Sequence, residues 1–346
     1  MCSAQRSESP PPDSRAPAPA ALASDSGSPP PRTARLHATL WLVFLLIPLI
    51  EVARHFVVRS RVPAEEDWIE AIEHARERWQ ERDLILSAPG WTDPILRHHG
   101  GDLLPLAATG RSDLASFERL WLLSIRGRRS PEAPARAPDE ERRFGRVHLM
   151  RWDLGPSPVL ADLTDQWRSA RVTLGLAEPG GAGAIACPLR RMPLGMGGLG
   201  QGPMLPIERF VCDPRRPHLG LAATVTEDLE LRPRRCLWQH PEGERPMRAT
   251  FEDLPLGSRI VLHGGLYYES ERNLVGGPVD VRLEVNGEEV GHMVHRDGDG
   301  WKRMEALTGA PPGARGAITI DVRARDPRHR TFCWAATTRL EERREP

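Results

Sequence analysis

The apolar run from Leu40 to Ile50 constrains this chain more than any other stretch. A helix rises 1.5 Å per residue, so the run alone cannot cross a hydrocarbon core of ~30 Å, which takes about 20 residues. The flanks must supply the rest, and Leu36 to Val58 together reach that length. Glu51, Arg54 and His55 share one helical face, while Val52, Ala53, Phe56 and Val57 cover the other. A helix leaving a bilayer obliquely has this pattern, with Arg54 snorkelling towards the headgroups. The expectation is a single transmembrane helix over 36–58. A cleaved signal peptide and a buried soluble helix are the competing readings. No A-x-A cleavage pattern follows the run, and the segment before it is long for a signal peptide's basic region.

That preceding segment, residues 1–34, is a Pro-, Ala- and Ser-rich head. It holds too little apolar surface to offset the entropy of ordering, so disorder is expected. Arginines lie on both sides of the apolar run (Arg32 and Arg35 before, Arg54, Arg59 and Arg61 after), so charge does not orient it. The cysteines do. Cys2 lies in the head, and Cys187, Cys212, Cys236 and Cys333 all follow the apolar segment. An even set on one side of a membrane suits two disulfides in an oxidising compartment. The pairings expected are Cys236 with Cys333 and Cys187 with Cys212. This reading places the chain in a cell membrane, with the head cytoplasmic and the body periplasmic or extracellular.

Lys+Arg and Asp+Glu both total 47, so bulk charge gives no reason to expect a nucleic-acid partner. Lys302 is the only lysine; with 34 prolines and 31 glycines, the arginine usage reads as the codon bias of a GC-rich genome.

The body divides by pattern. Residues 64–177 read as a small α/β segment. A helix over 64–82 carries Trp68, Ile69, Ile72, Ala75 and Trp79 as an apolar stripe, with acids in its first turn. Leu84 to Ala88 and Leu120 to Ile125 are apolar strands, and short helices are expected after Asp93 and over Ser112 to Arg119. This order implies a parallel strand pair. Residues 127–143 read as a loop, and Val147 to Trp152 and Ala170 to Leu176 as further strands. Residues 178–206 are a Gly/Pro-rich linker. From 207 to 340 short alternating segments recur between turn signals, and Asn286-Gly287 is the strongest hairpin signal in the chain. Such spacing predicts an antiparallel β-sandwich of jelly-roll type. The fold class expected is therefore α+β: one transmembrane helix, an α/β segment and a C-terminal sandwich.

Two stretches resemble known families. Residues 66–126, with DW, RDLILSAPGW and RLWLLS, look like the soluble α/β segment of dolichyl-phosphate-mannose-type glycosyltransferases. That family's multi-helix catalytic part and acidic active-site loop are absent here, so the resemblance implies no activity and carries over no catalytic residue. Residues 236–338 resemble galactose-binding-like jelly-roll modules through the VRLEVNGEEVG hairpin and the GAITIDV run. That resemblance implies a sandwich fold and does not fix a function.

No nucleophile-elbow or P-loop pattern occurs; the glycines of 195–202 include a G-x-G-x-x-G match but lie in a Met/Pro-rich stretch with no lysine, and no cofactor is expected. His292, His295, Asp297 and Asp299 suggest a metal site, but alternation sends His292 and His295 to opposite faces of a strand, and the Asp-Gly repeat is turn chemistry. His98 and His99 diverge by about 100° on a helix and suit its C-terminus. Asp153, Asp162 and Asp165 are candidate paired carboxylates for glycoside chemistry, with no separation fixed. Trp238, Trp301 and Trp334 are candidate glycan-stacking rings, although burial in a sandwich core is the commoner fate of such residues. The functions left are a non-catalytic binding or organising role towards an envelope component, glycan among them; an enzyme of envelope carbohydrate metabolism; and an accessory subunit contacting a membrane-protein partner.

Overall fold

The computed structural model describes residues 32–175, 183–192, 206–216 and 218–341. The expected disorder of the head falls almost wholly outside them. The chain forms two compact units, Met1–Val62 and Pro63–Pro346. In the first, α1 (Arg32–Arg59) is one continuous helix with Pro48 inside it. Leu40–Arg59 is long and apolar enough to cross a membrane, and Trp41, Phe44, Ile47, Leu49 and Phe56 are all exposed among the described residues.

The second unit begins with α2 (Glu65–Glu77). Its first turn is acidic, and the Ala64 N–H donates to Asp67 Oδ2 at 3.2 Å. Trp68, Ala71, Ile72 and Ala75 are buried, whereas Ile69 is exposed. A four-stranded sheet follows in the order β1 (Asp83–Ala88), β2 (Arg119–Ser124), β4 (Val147–Asp153), β3 (Glu140–Phe144). β1 and β2 are parallel and the other pairs antiparallel. α2 and α3 (Asp93–Gly100) contribute Trp68, Ile72 and Leu96 to one side, against Trp121 and Leu123 of β2. Leu84, Leu120 and Trp152 bury the other side with Ala108 of α4 (Leu106–Thr109). Burial on both faces is why β2 is an unbroken apolar run rather than an alternating one. Ser112–Arg119, expected to be helical, is turns and bends over 112–118, and Arg119 already opens β2. The strand β3 closes the expected loop 127–143.

The remainder is a β-sandwich. The eight-stranded sheet runs β16 (Lys302–Leu307), β13 (Arg259–Leu266), β18 (Phe332–Arg339), β11 (Pro233–Gln239), β10 (Gly220–Glu227), β9 (Glu208–Val211), β8 (Leu189–Arg191), and β5 (Val159–Asp162) pairs with the far end of β18. The six-stranded sheet runs β15 (Glu288–His295), β14 (Val279–Val285), β17 (Arg315–Arg323), β12 (Met247–Pro255), β6 (Arg171–Leu174), β7 (Ile185–Ala186). A fifth helix, α5 (Tyr268–Asn273), follows β13. β14 alternates strictly between buried and half-buried positions, as one face against a core requires. The inner faces meet at Leu237, Ile260, Leu262, Trp334, Phe251, Val281, Ile318 and Ile320, with Phe251 edge-on to Trp334. Asn286 and Gly287 both take positive φ (52° and 90°), the two left-handed positions of a tight hairpin turn.

The expected boundaries at 177 and 206 shift. β5 and β6 already belong to the sandwich, and β7 and β8 lie inside the expected linker. Their edge pairings, not their composition, recruit them. Much of the rest of 178–206 is outside the described residues. Both disulfides form. Cys187–Cys212 ties the point where the chain passes from the six- to the eight-stranded sheet. Cys236–Cys333 joins neighbouring strands on a diagonal, since Cys333 lies opposite Trp238.

Candidate functional site

The α/β sheet packs beside the outer face of the eight-stranded sheet, and Gly110 marks a close approach of the two backbones. Arg235 donates its N–H to the Gly110 carbonyl at 2.7 Å, and a Cβ on Gly110 would stand 2.6 Å from that nitrogen. Arg234 Nη1 donates to the Arg111 carbonyl at 2.7 Å. Two hollows open along this junction and share Arg111, Ser112 and Asp113. The larger, about 800 Å³, lies at the C-terminal ends of β1, against Ser87, Asp93 and Arg129. The smaller, about 470 Å³, holds the denser set of polar groups.

Strand alternation explains that set. Val261, Thr337 and Asp162 lie opposite one another across β13, β18 and β5, and so face the same way. His263 and Arg339 are each two residues along from that row and share its face. Asp113, from the α/β side, accepts from Arg339 Nη2 at 2.6 Å and lies 3.7 Å from His263 Nε2. Arg235 Nη2 donates to Asp165 Oδ1 at 2.6 Å, and the Thr164 N–H donates to Asp162 Oδ1 at 2.7 Å. Trp79 and Phe117, both half-buried, supply apolar wall.

The protonation states diverge. Burial raises the Asp162 carboxyl above the ordinary range, and the Asp165 charge adds to this. Burial also pushes Asp113 upward, but the Arg339 guanidinium outweighs it and holds the carboxyl low. Burial drives His263 down to about 4, against the pull of Asp113. The unfolded chain takes up that proton near the usual ~6.5, so it binds more protons than the folded one between about pH 6.5 and 4. Stability is therefore complete above that window and falls as pH drops through it, by about 3 kcal/mol for this buried group. Guanidinium unfolding at about pH 7 and about pH 4.5 should show the loss, reduced in His263→Gln. An equal loss in both proteins would refute this account.

Of the three candidate carboxylates, Asp162 and Asp165 converge in the smaller hollow. Asp153 does not: it is exposed at the end of β4, 3.4 Å from Arg151. The four residues suspected of binding metal on and after β15 disperse. His295 is fully buried on Glu271 at 2.7 Å, His292 meets Asp280 at 2.7 Å, Asp297 pairs with Arg330, and Asp299 with Lys302. Burial corrects the candidate stacking role of Trp238 and Trp334. Trp334 is in the core, its Nε1 donating to Gln239 Oε1 at 2.8 Å, and Trp238 is buried against the Cys236–Cys333 bond. Trp301 is half-buried, under the Arg234 guanidinium, and bonds Ser112 Oγ. Trp91 is instead exposed (62%), with Arg126 over its ring. Sequence reasoning missed Trp91 and the place of Trp79 in the wall of the smaller hollow. The only available signal for Trp91 was its place after the Pro89-Gly90 turn that ends a strand.

No family model and no curated protein matches the chain, so the glycosyltransferase resemblance of 66–126 gains no support from them. Among solved structures, a CBM51-2 and INT fragment of Clostridium perfringens ZmpB with GlcNAc is 13% identical, covering 35% of this chain and 26% of its own, at a TM-score of 0.27. The CBM51 of a Clostridium perfringens GH95 protein, in complex with methyl-galactose, is 8% identical over 34% of this chain and 80% of its own, at 0.26. The C-terminal CBM6 of LamC from Zobellia galactanivorans is 8% identical over 34% and 88%, at 0.22. The chain thus spans about a quarter of the first of these.

Proposed function

We propose that the folded unit binds a polyhydroxylated ligand, a glycan, in the smaller junction hollow, and that α1 holds it at a membrane with the disulfide-bonded body outside the cytoplasm. The observation that carries the binding reading is the convergence of Asp162, Asp165–Arg235 and Asp113–Arg339 beside Trp79 in one hollow. Each sugar hydroxyl both donates and accepts, and a mixed set of carboxyl and guanidinium groups satisfies neighbouring hydroxyls, while a ring such as Trp79 meets the C–H face. The two disulfides support the oxidising location.

The test is a glycan and peptidoglycan-fragment array on the detergent-solubilised full chain. Asp165→Ala removes a charged hydrogen-bonding group worth ~1.5–3 kcal/mol, a tenfold or greater loss of affinity, without disturbing a buried contact. Binding unchanged in both Asp165→Ala and Trp79→Ala, or no binding to any glycan, would remove this reading.

One observation favours catalysis as a second reading. Asp162 is held towards its protonated form beside Asp165, an arrangement in which one carboxyl serves as acid and the other as base or nucleophile. A hydrolase would release reducing ends from a bound glycan, and Asp162→Asn would stop release while retaining binding.

A further inference from the structure

The last turn of α3 carries adjacent histidines, and regular helix geometry alone would spread them about 100° apart. The structure brings them together: the His98 and His99 ring centroids are 4.6 Å apart, with planes at 73°. Glu65, the first residue of α2, reaches the same place, its Oε1 3.3 Å from His99 Nε2. One ligand atom from each of the three residues lies within 4.8 Å of the others.

A tetrahedral ion with ligand bonds near 2.0–2.2 Å places its ligand atoms roughly 3.3–3.5 Å apart. The Glu65–His99 edge already has that length. Closing the remaining edges takes shifts of about 1.5 Å or less from His98 and Glu65, both exposed and free to change rotamer. His99 is the fixed member. Its carbonyl accepts from Arg76 Nη2 at 2.9 Å, and Arg76 is itself held by Asp102 at 2.7 Å. The partial negative charge at the end of α3 also favours a cation there. Two imidazoles and one carboxylate suit a borderline transition metal rather than calcium or magnesium, which take oxygen ligands.

We propose that Glu65, His98 and His99 form a binding site for a transition-metal dication of the Zn²⁺ type, with at least one coordination position left for water or an external ligand. The site is separate from the junction hollow and independent of the glycan reading.

The test is calorimetric titration of ZnCl₂ into the EDTA-treated, dialysed full chain in detergent. Cys2→Ser is carried in every sample, because a free thiol would compete for zinc. The expected result is one saturable site per chain. His98→Ala and Glu65→Gln should each weaken it by about tenfold or more, since removing a direct ligand costs at least what a supporting residue does. His292→Ala, an exposed histidine of the sandwich, should leave it unchanged. His99→Gln is a third variant, but the other two positions are exposed, so the test survives if it misfolds. Absence of saturable binding, or affinity undiminished in both His98→Ala and Glu65→Gln, would overturn the proposal.

Discussion

Replacing Cys236 and Cys333 together by alanine should cost the folded unit about 4–5 kcal/mol of unfolding free energy. The bond spans 97 residues, and closing so long a loop removes much of the freedom of the unfolded chain. Its position adds a second reason. β18 is the hub of the eight-stranded sheet, pairing with β13, β11 and β5, and Cys333 lies near its start. Both sulfurs are buried with Ala222 and Trp238, so the change also disturbs packing. Denaturant unfolding under oxidising conditions measures the loss. The variant lacking only Cys187–Cys212, with a separation of 25 residues, should lose less, about 3.5 kcal/mol on the same argument. A loss below about 1 kcal/mol for the long loop would show that its unfolded state is already restrained in some other way.

Asp83→Asn should destabilise the protein by about 3 kcal/mol. The Asp83 carboxylate is almost wholly buried and accepts four hydrogen bonds: from Arg119 Nε at 2.7 Å and Nη2 at 2.6 Å, from Trp121 Nε1 at 2.8 Å, and from the Gln80 N–H at 3.1 Å. It joins the start of β1 to β2, where Asp83 and Arg119 lie opposite each other. Removing the charge leaves the Arg119 guanidinium, itself only 12% exposed, without its counter-ion. Breaking a buried pair on one side costs ~3–5 kcal/mol, and the remaining bond from Arg119 to the Arg78 carbonyl keeps the cost at the lower end. Removing both partners costs less, because no charge is stranded. A double-mutant cycle with Arg119→Met therefore distinguishes the cause: the double variant should be more stable than Asp83→Asn alone. Additive losses would mean that Asp83 acts through local packing instead.

The strands from 219 onward were legible in the residues because their signals are local. Alternation has a period of two and turns have their own chemistry, so the alternating segments read between turn signals over 207–340 appear as strands such as β14, β15 and β17. The same locality misled at Ser112–Arg119. Its composition permits a helix, but Ser112 and Asp113 are drawn to Trp301 and Arg339 across the junction. Asp162 and Asp165 were visible as a candidate pair. Their company was not, since Asp113 and His263 lie far away in sequence and meet them only through strand register and docking.

By itself, the sequence determined the α2 helix, the apolar strands of the α/β segment, the alternating strands of the sandwich, where the apolar helix lies and which cysteines are available to pair, since each of these depends on a few neighbouring residues. Tertiary structure alone decided which sheet face is covered. That choice buries Trp238 and Trp334, exposes Trp91, and turns an outer row of Asp162, Thr337 and Val261 into the wall of a hollow. The physical reason is that exposure and charge environment come from residues distant in sequence: the pull on Asp113 is that of Arg339, and the low titration of His263 is the desolvation of a docked interface.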